Sequence, residues 1–251
     1  MLNEIETLNR QIFLTMNAKP GTPDSALVIA NFFANTLIYA IPVIIILLWF
    51  AGKEKGKMLA LRSTLTMVIG VVLSLIIGTL WPHPRPFMIP LGYVWFSHTA
   101  DYSFPSDHMT IFVCFALALI SAKAARTGLL LLGISILVAW SRIYLGVHFP
   151  LDMAGAVVTG IVSDVLFCRL WRYKGEDIFY FFKADEFHAL LSLQSSHPAT
   201  EKTVLLRYVP FSDNTYRYAT VRYHRRSYTA VHAQESLSGT EAWRAPHIQP
   251  L

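Results

Sequence analysis

The chain has 251 residues, of which 54% are hydrophobic and only 15% are charged. Soluble domains usually carry about 25% charged residues, so this composition excludes an ordinary soluble globular protein and indicates an integral membrane protein. The net charge of +5 would suit a nucleic-acid binder. The basic residues, however, gather in short loops between apolar segments, which is the pattern of membrane topology. We therefore expect no nucleic-acid partner.

The first 24 residues are too polar to supply the hydrophobic core of a signal peptide. Within them, apolar residues recur at roughly helical spacing, namely Ile5, Leu8, Ile12 and Phe13. The spacing predicts an amphipathic helix lying on the membrane surface, with a frayed polar terminus as the alternative.

Five apolar segments follow, each near the ~20 residues that cross a bilayer. They cover 25–51, 58–81, 105–122, 127–147 and 150–172. These segments predict an all-α, polytopic transmembrane helix bundle over residues 25–174.

Residues 175–251 differ in composition from the rest of the chain. They begin with a stretch that favours an inner-surface helix and continue into a polar segment rich in Arg, Tyr and His. Alternating residue types there hint at strands, but no convincing core is present. We expect a poorly ordered cytoplasmic tail that touches anionic lipid.

The basic residues predict the orientation of the spans. Residues 51–62 include four basic residues and one acidic residue, whereas the segment before the first span has two basic and three acidic residues. The positive-inside rule places 51–57 in the cytoplasm and the N-terminus outside. Alternation then puts the 82–104 and 148–150 loops outside and the tail inside.

Three polar clusters interrupt the apolar segments, and all fall on the predicted outer side. They are Arg85-Pro86 in WPHPRPF, Ser106-Asp107-His108 in FPSDHMT, and Ser141, Arg142, His148 and Asp152 in SRIYLGVHFPLD. Each cluster lies where an apolar segment begins or ends. Charged side chains at such positions can meet water and a lipid headgroup together.

The residue types in these clusters suit phosphoryl transfer. Arginine binds phosphate through paired, charge-assisted hydrogen bonds. Ser106 opens the third span, where a helix N-terminus can cap itself or present N–H groups to an anion. Asp152 can accept a hydrogen bond from one nitrogen of His148 and leave the other nucleophilic. His108 is placed to protonate a leaving oxygen.

These clusters resemble the three signature motifs of the type 2 phosphatidic acid phosphatase superfamily: Lys-x6-Arg-Pro, Pro-Ser-Gly-His and Ser-Arg-x5-His-x3-Asp. The third motif matches in full, while the second has Asp107 in place of glycine and the first has Gly78 in place of lysine. The resemblance covers about residues 25–172. Within the family, the chain is similar to bacterial undecaprenyl-diphosphatases of the bacitracin-resistance type, which also tend to lack that lysine.

The resemblance implies roles for the matching residues. His148 would be the nucleophile, Asp152 its partner and His108 the general acid, and the phosphate ligands would be Arg85, Ser106 and Arg142. No metal or other cofactor is implied. Three auxiliary candidates remain: His83 to replace part of the lysine charge, Asp107 to orient His108 or an arginine or to help cap the third span, and Ser141.

The expected function is hydrolysis of undecaprenyl diphosphate, through a phosphohistidine, on the periplasmic face of a bacterial inner membrane. Alternatives are another lipid substrate, such as phosphatidate or phosphatidylglycerol phosphate, or transfer of the phosphate to a second lipid. A transporter would need charges near mid-membrane, where the chain has Asp164. We interpret Asp164 as a hydrogen-bonded residue that faces other helices. The sequence does not indicate the oligomeric state.

Overall fold

The computed structural model describes residues 2–194, 202–208, 217–224 and 227–233. The chain divides into two units, Met1–Phe182 and Lys183–Leu251. The helices are α1 (Leu2–Met16), α2 (Asp24–Asn31), α3 (Ala40–Phe50), α4 (Glu54–Leu80), α5 (Asp107–Ser121), α6 (Ala125–Tyr144) and α7 (Pro150–Gln194). A π-helical turn, Phe32–Thr36, and a 3-10 turn, Leu37–Tyr39, join α2 to α3, and a further 3-10 turn covers Pro86–Met88.

Among the residues that the structure describes, four helical segments are long and apolar enough to cross a membrane, namely Asp24–Phe50, Glu54–Leu80, Ala125–Tyr144 and Pro150–Gly175. The remaining predicted span, the third in chain order at 105–122, corresponds to α5, a shorter apolar helix of 15 residues. At 1.5 Å per residue α5 is about 22 Å long, less than the ~30 Å hydrocarbon core of a bilayer. The predicted all-α membrane bundle is confirmed, with α5 shorter than the other spans.

The shorter helix α5 occupies the middle of the bundle, packed against α4 on one side and α6 on the other. Most of its apolar side chains are buried, including Phe112, Val113 and Phe115. The other spans expose large apolar side chains such as Leu75 and Ile136, as expected of helices that face lipid.

The N-terminal helix α1 has an exposed apolar face and a buried one. The exposed side chains are Ile5, Leu8 and Ile12, which suits a helix at a membrane surface. Phe13, predicted to share that face, is instead fully buried, and its ring centroid lies 5.2 Å from that of Phe149. Helix α1 is therefore packed into the bundle as well as amphipathic.

Two asparagines fix α1 to the end of the bundle where the polar clusters lie. The Asn9 side-chain oxygen accepts a hydrogen bond from the Leu151 N–H at 2.9 Å, which satisfies a free donor in the first turn of α7. Asn17 donates to the Tyr93 carbonyl at 2.9 Å and to the Tyr144 carbonyl at 3.1 Å. These long-range bonds make α1 part of the scaffold around the site.

The described part of the second unit contains three antiparallel strands in the order β1-β2-β3. They are β1 (Lys202–Tyr208), β2 (Arg217–His224) and β3 (Ser227–Ala233). The central strand pairs Val221 with Val204 on one side and with Ala230 on the other. This sheet is an addition to the all-α prediction, and its sequence signal is the alternation noted above. Residues 234–251 of the predicted tail lie outside the described residues.

Candidate active site

The three polar clusters meet at one end of the bundle. Arg85 follows α4, Ser106 precedes α5, Arg142 lies in the last turn of α6, and His148 and Asp152 flank the start of α7. Charged side chains are rarely this buried unless they are paired, yet Arg85 is 4% exposed, Arg142 and His148 are 1% exposed, and Asp152 is fully buried. The clusters predicted from separate parts of the sequence form one polar centre.

The centre is built around a hydrogen-bonded His148–Asp152 pair. The Nδ1 atom of His148 lies 3.2 Å from Oδ2 of Asp152. The same carboxylate oxygen accepts hydrogen bonds from the Phe149 N–H at 2.7 Å and from the Ser103 hydroxyl. Because an ionised carboxylate only accepts, this arrangement favours the tautomer with hydrogen on Nδ1. The Nε2 atom of His148 then carries the ring's lone pair, on the side opposite Asp152.

Burial and two arginines keep His148 neutral. Burial lowers the pKa of His148 well below its ordinary value of 6.5, and the positive charges of Arg142 and Arg85 lower it further. A neutral imidazole oriented by a carboxylate is the form required of a nucleophile or a general base.

Both buried arginines direct a nitrogen at Nε2 of His148. The distances are 2.9 Å from NH1 of Arg85 and 3.4 Å from NH2 of Arg142. Arg85 also donates to the Val147 carbonyl at 3.1 Å and pairs with Asp101 at 2.7 Å. Two guanidinium groups beside an imidazole lone pair create a strongly positive pocket at the reactive nitrogen. An anion at this point would find hydrogen-bond donors next to Nε2 of His148.

Arg142 is held by the irregular turn of the first span. Its NH1 atom donates to the Ala34 carbonyl and to Oδ1 of Asn35, both at 3.1 Å, and both acceptors belong to the π-helical turn. Its NH2 atom lies 3.1 Å from Nε2 of His98. Burial and the charge of Arg85 lower the pKa of His98, so this imidazole is neutral and can accept.

Ser106 occupies the N-cap position of α5, as predicted, but its hydroxyl makes no capping hydrogen bond. The side chain is fully buried, and its oxygen has no hydrogen-bond partner among the described residues. The next turn carries His108, which is half-buried and whose electrostatic neighbours include Arg142, His98 and Arg85. His108 therefore lies near the charged centre, and the unsatisfied Ser106 hydroxyl lies two residues before it at the start of the same helix.

Two auxiliary candidates have other partners. Asp107 accepts a hydrogen bond from the Ser74 hydroxyl at 2.7 Å, which links α5 to α4, and it is also an electrostatic neighbour of Arg142. Its place in the first turn of α5 still suits the helix dipole. The Ser141 hydroxyl donates to the Val138 carbonyl at 2.8 Å within α6 and is not directed at the polar centre.

The structure also shows the surroundings of Gly78, which replaces the motif lysine, and of His83, the candidate to replace part of its charge. A Cβ atom added to Gly78 would lie 3.0 Å from the ring of Tyr102, so that ring covers the position where the family has lysine. The side chain of His83 lies behind Asp152, with Nδ1 3.8 Å from Oδ1 of that residue. Among the described residues, the charged partners of His83 are thus two carboxylates, those of Asp152 and Glu6, and not the arginines.

Sequence reasoning missed two groups that complete the centre. Ser103 belongs to no motif, and Asn35 lies more than 100 residues from its partner Arg142. The polar NFFANT stretch inside an apolar span was the available signal for Asn35. Asp164, by contrast, behaves as interpreted, because it accepts a hydrogen bond from Ser121 at 3.0 Å.

Comparisons with known proteins agree with this fold and site. Residues 59–176 match the PAP2 superfamily. YbjG of Escherichia coli (strain K12) is 35% identical over 175 residues, which cover 70% of this chain and 88% of YbjG. Undecaprenyl-diphosphatase BcrC of Bacillus subtilis (strain 168) is 31% identical over 138 residues, covering 55% of this chain and 71% of BcrC. The crystal structure of Aquifex aeolicus LpxE superposes with a TM-score of 0.51 at 26% identity, covering 64% of this chain and 95% of LpxE.

The helical bundle is thus the fold that this chain shares with Aquifex aeolicus LpxE, and in this chain it holds a buried His–Asp pair beside two arginines. The chain belongs to the PAP2 superfamily and is a membrane phosphatase. The resemblance inferred from the three motifs is confirmed.

Proposed function

We propose that this protein hydrolyses undecaprenyl diphosphate to undecaprenyl phosphate and inorganic phosphate. The observation that carries the proposal is the Nε2 atom of His148, which faces two arginine nitrogens at 2.9 and 3.4 Å while Asp152 holds the opposite ring nitrogen. The name of BcrC, an undecaprenyl-diphosphatase, supports the choice of substrate.

In the proposed reaction, Nε2 of His148 attacks the terminal phosphorus. A phosphorus–nitrogen bond forms, the bond from phosphorus to the bridging oxygen breaks, and His108 gives its proton to the departing undecaprenyl phosphate. Water then attacks the phosphohistidine, releases inorganic phosphate and restores the imidazole. The proton lost by this water returns to His108.

Charge stabilisation during both steps would come from groups already in place. Arg85, Arg142, the unpartnered Ser106 hydroxyl and the N–H groups at the start of α5 would hold the equatorial oxygens of the transferred phosphoryl group. Stabilising this charge is the main catalytic task in phosphoryl transfer.

We further propose that the site faces the periplasm of a bacterial inner membrane. The polar centre lies after the C-terminal ends of α4 and α6, whereas Lys53, Lys55 and Lys57 lie around the N-terminus of α4, at the opposite end of that helix. The positive-inside rule assigns the lysine-rich end to the cytoplasm.

The test is phosphate release by detergent-purified protein from undecaprenyl diphosphate, phosphatidate and phosphatidylglycerol phosphate, with and without EDTA. We expect a strong preference for the diphosphate that EDTA does not change. His148→Ala should abolish release while the thermal unfolding midpoint stays near that of the wild type, and activity within tenfold of wild type would refute His148 as the nucleophile. A phosphorylated second lipid in place of free phosphate would show a phosphotransferase instead.

A further inference from the structure

The carboxylate that orients His148 has a second oxygen that lacks a donor. Oδ1 of Asp152 is buried and makes no hydrogen bond among the described residues, and the same holds for Nδ1 of His83. These two atoms lie 3.8 Å apart. A buried acceptor without a donor and a buried donor without an acceptor, facing each other at this distance, are complementary. A shift of less than 1 Å would join them.

The other nitrogen of His83 faces a second carboxylate. Nε2 lies 3.5 Å from Oε2 of Glu6, on helix α1. Arg10 and Asn9 hold Glu6 in place, at 2.8 and 3.3 Å. Burial raises the pKa of Glu6, but these two hydrogen bonds and the charge of His83 lower it by more. The net pKa is therefore below its ordinary value, so Glu6 is ionised at neutral pH.

The His83 ring is fixed between these carboxylates by packing and by the backbone. Its centroid lies 5.5 Å from that of Phe149 in an edge-on arrangement. Its own carbonyl accepts a hydrogen bond from the Ser103 N–H at 2.8 Å, and the Ser103 hydroxyl in turn donates to Asp152. His83 is therefore connected to the His148–Asp152 pair through Phe149 and Ser103.

The donors and acceptors around His83 determine which hydrogen bonds its ring can make. Ionised carboxylates only accept, so an imidazole between two of them supplies a hydrogen to each only when both of its nitrogens are protonated. Glu6 and Asp152 each present an acceptor oxygen to one ring nitrogen of His83, and a donor to Oδ1 of Asp152 favours the ionised carboxylate. The other groups around Asp152 are His148, Ser103, the Phe149 N–H and the charge of Arg85.

We propose that Glu6 and His83 are positioning residues, forming the outer half of a chain Glu6–His83–Asp152–His148 through which helix α1 holds the catalytic aspartate ionised and oriented. The inference rests on the proposed role of His148 as nucleophile. It assigns α1 a part in catalysis, and it replaces the hypothesis that His83 supplies charge to the phosphate. His83 faces the oxygen of Asp152 that is not bonded to His148, so it acts on the nucleophile through Asp152 and not on the substrate.

The test uses the full-length protein and measures kcat and KM for phosphate release from undecaprenyl diphosphate between pH 5 and pH 9. The variants are Glu6→Gln, His83→Gln and His83→Asn, with Glu4→Gln as the matched control on the same helix. The asparagine amide approximates the Nδ1 position that faces Asp152, whereas the glutamine amide approximates the Nε2 position that faces Glu6. His83→Asn should therefore keep more activity than His83→Gln.

We expect kcat to fall about tenfold in His83→Gln and about threefold in Glu6→Gln and His83→Asn, with KM within twofold of wild type. These losses are well below the ~10⁴-fold effect of altering the orienting carboxylate of a catalytic triad. The acidic limb of the pH profile should move to higher pH in His83→Gln, because the ionised Asp152 carboxylate loses the donor that faces its Oδ1 atom. Glu4→Gln should match the wild type.

Wild-type kcat and an unmoved acidic limb in both Glu6→Gln and His83→Gln would overturn the inference. A rise in KM at unchanged kcat would do the same, since it would place His83 on the substrate. If the wild type hydrolyses phosphatidate but not the diphosphate, the proposed substrate is wrong, and the same variants assayed on phosphatidate still decide the inference. Unfolding midpoints within a few degrees of wild type exclude a folding defect as the cause.

Discussion

Removing the hydroxyl of Ser103 should impair catalysis although this residue lies outside every recognised motif. Ser103 is fully buried, and its hydroxyl donates to Oδ2 of Asp152. The other two donors to that oxygen are His148 and the Phe149 N–H. A hydrogen bond to a charged group contributes about 1.5–3 kcal/mol. At about 1.4 kcal/mol per factor of ten, Ser103→Ala should lower kcat roughly 10- to 150-fold.

The assay is steady-state phosphate release, with Ser97→Ala, an exposed serine in the same loop, as the control. Alanine preserves the backbone and leaves little extra space, so KM should change less than kcat. A Ser103→Ala enzyme with kcat within threefold of Ser97→Ala would refute the view that Oδ2 of Asp152 needs this donor.

Three further predictions follow from the geometry around His148. Gly146 has φ +84°, and a Cβ there would lie 2.0 Å from the Tyr93 carbonyl oxygen. Gly146→Ala should therefore lower the thermal unfolding midpoint by several degrees. An unchanged midpoint would contradict this prediction. Because the pKa of His148 is lowered on folding, the unfolded chain binds more protons below pH 6.5, so stability should fall as pH drops through 6.5. This fall should be smaller in His148→Asn, as measured by unfolding midpoints across pH 5–8. Arg142→Lys should lower kcat/KM about 100-fold, the usual cost of losing one stabilising donor, because lysine lacks the planar fork that holds the Ala34 carbonyl.

Local spacing made the His148–Asp152 pair predictable from sequence. Asp152 follows His148 by four residues across the start of α7, and this separation alone brings the carboxylate beneath the imidazole. Arg85 and Ser106 were predictable for a similar reason, because each lies directly at the end of an apolar segment. Alternation of the spans then placed all of them on one side.

Long-range packing was not predictable in the same way. The contacts of Asn9 with Leu151 and of Arg142 with Ala34 join positions more than 100 residues apart, and no periodicity encodes them. Phe13 shows the same limit, because helical spacing predicts a shared face with Ile12 but cannot say where the bundle covers that face. The departures at Gly78 and Asp107 became interpretable only when Tyr102 and Ser74 were found beside them.

The π-helical turn Phe32–Thr36 makes the candidate active site depend on the length of the first span, because this turn supplies acceptors to Arg142. A π turn contains one more residue than an α-helical turn, so deleting a single residue between 32 and 36 would restore regular helix and remove the irregular turn that presents these acceptors. The carbonyl of Ala34 and the amide of Asn35 would then leave Arg142. A span that lies outside the matched family region thus tolerates substitution on its lipid side far better than a change in length.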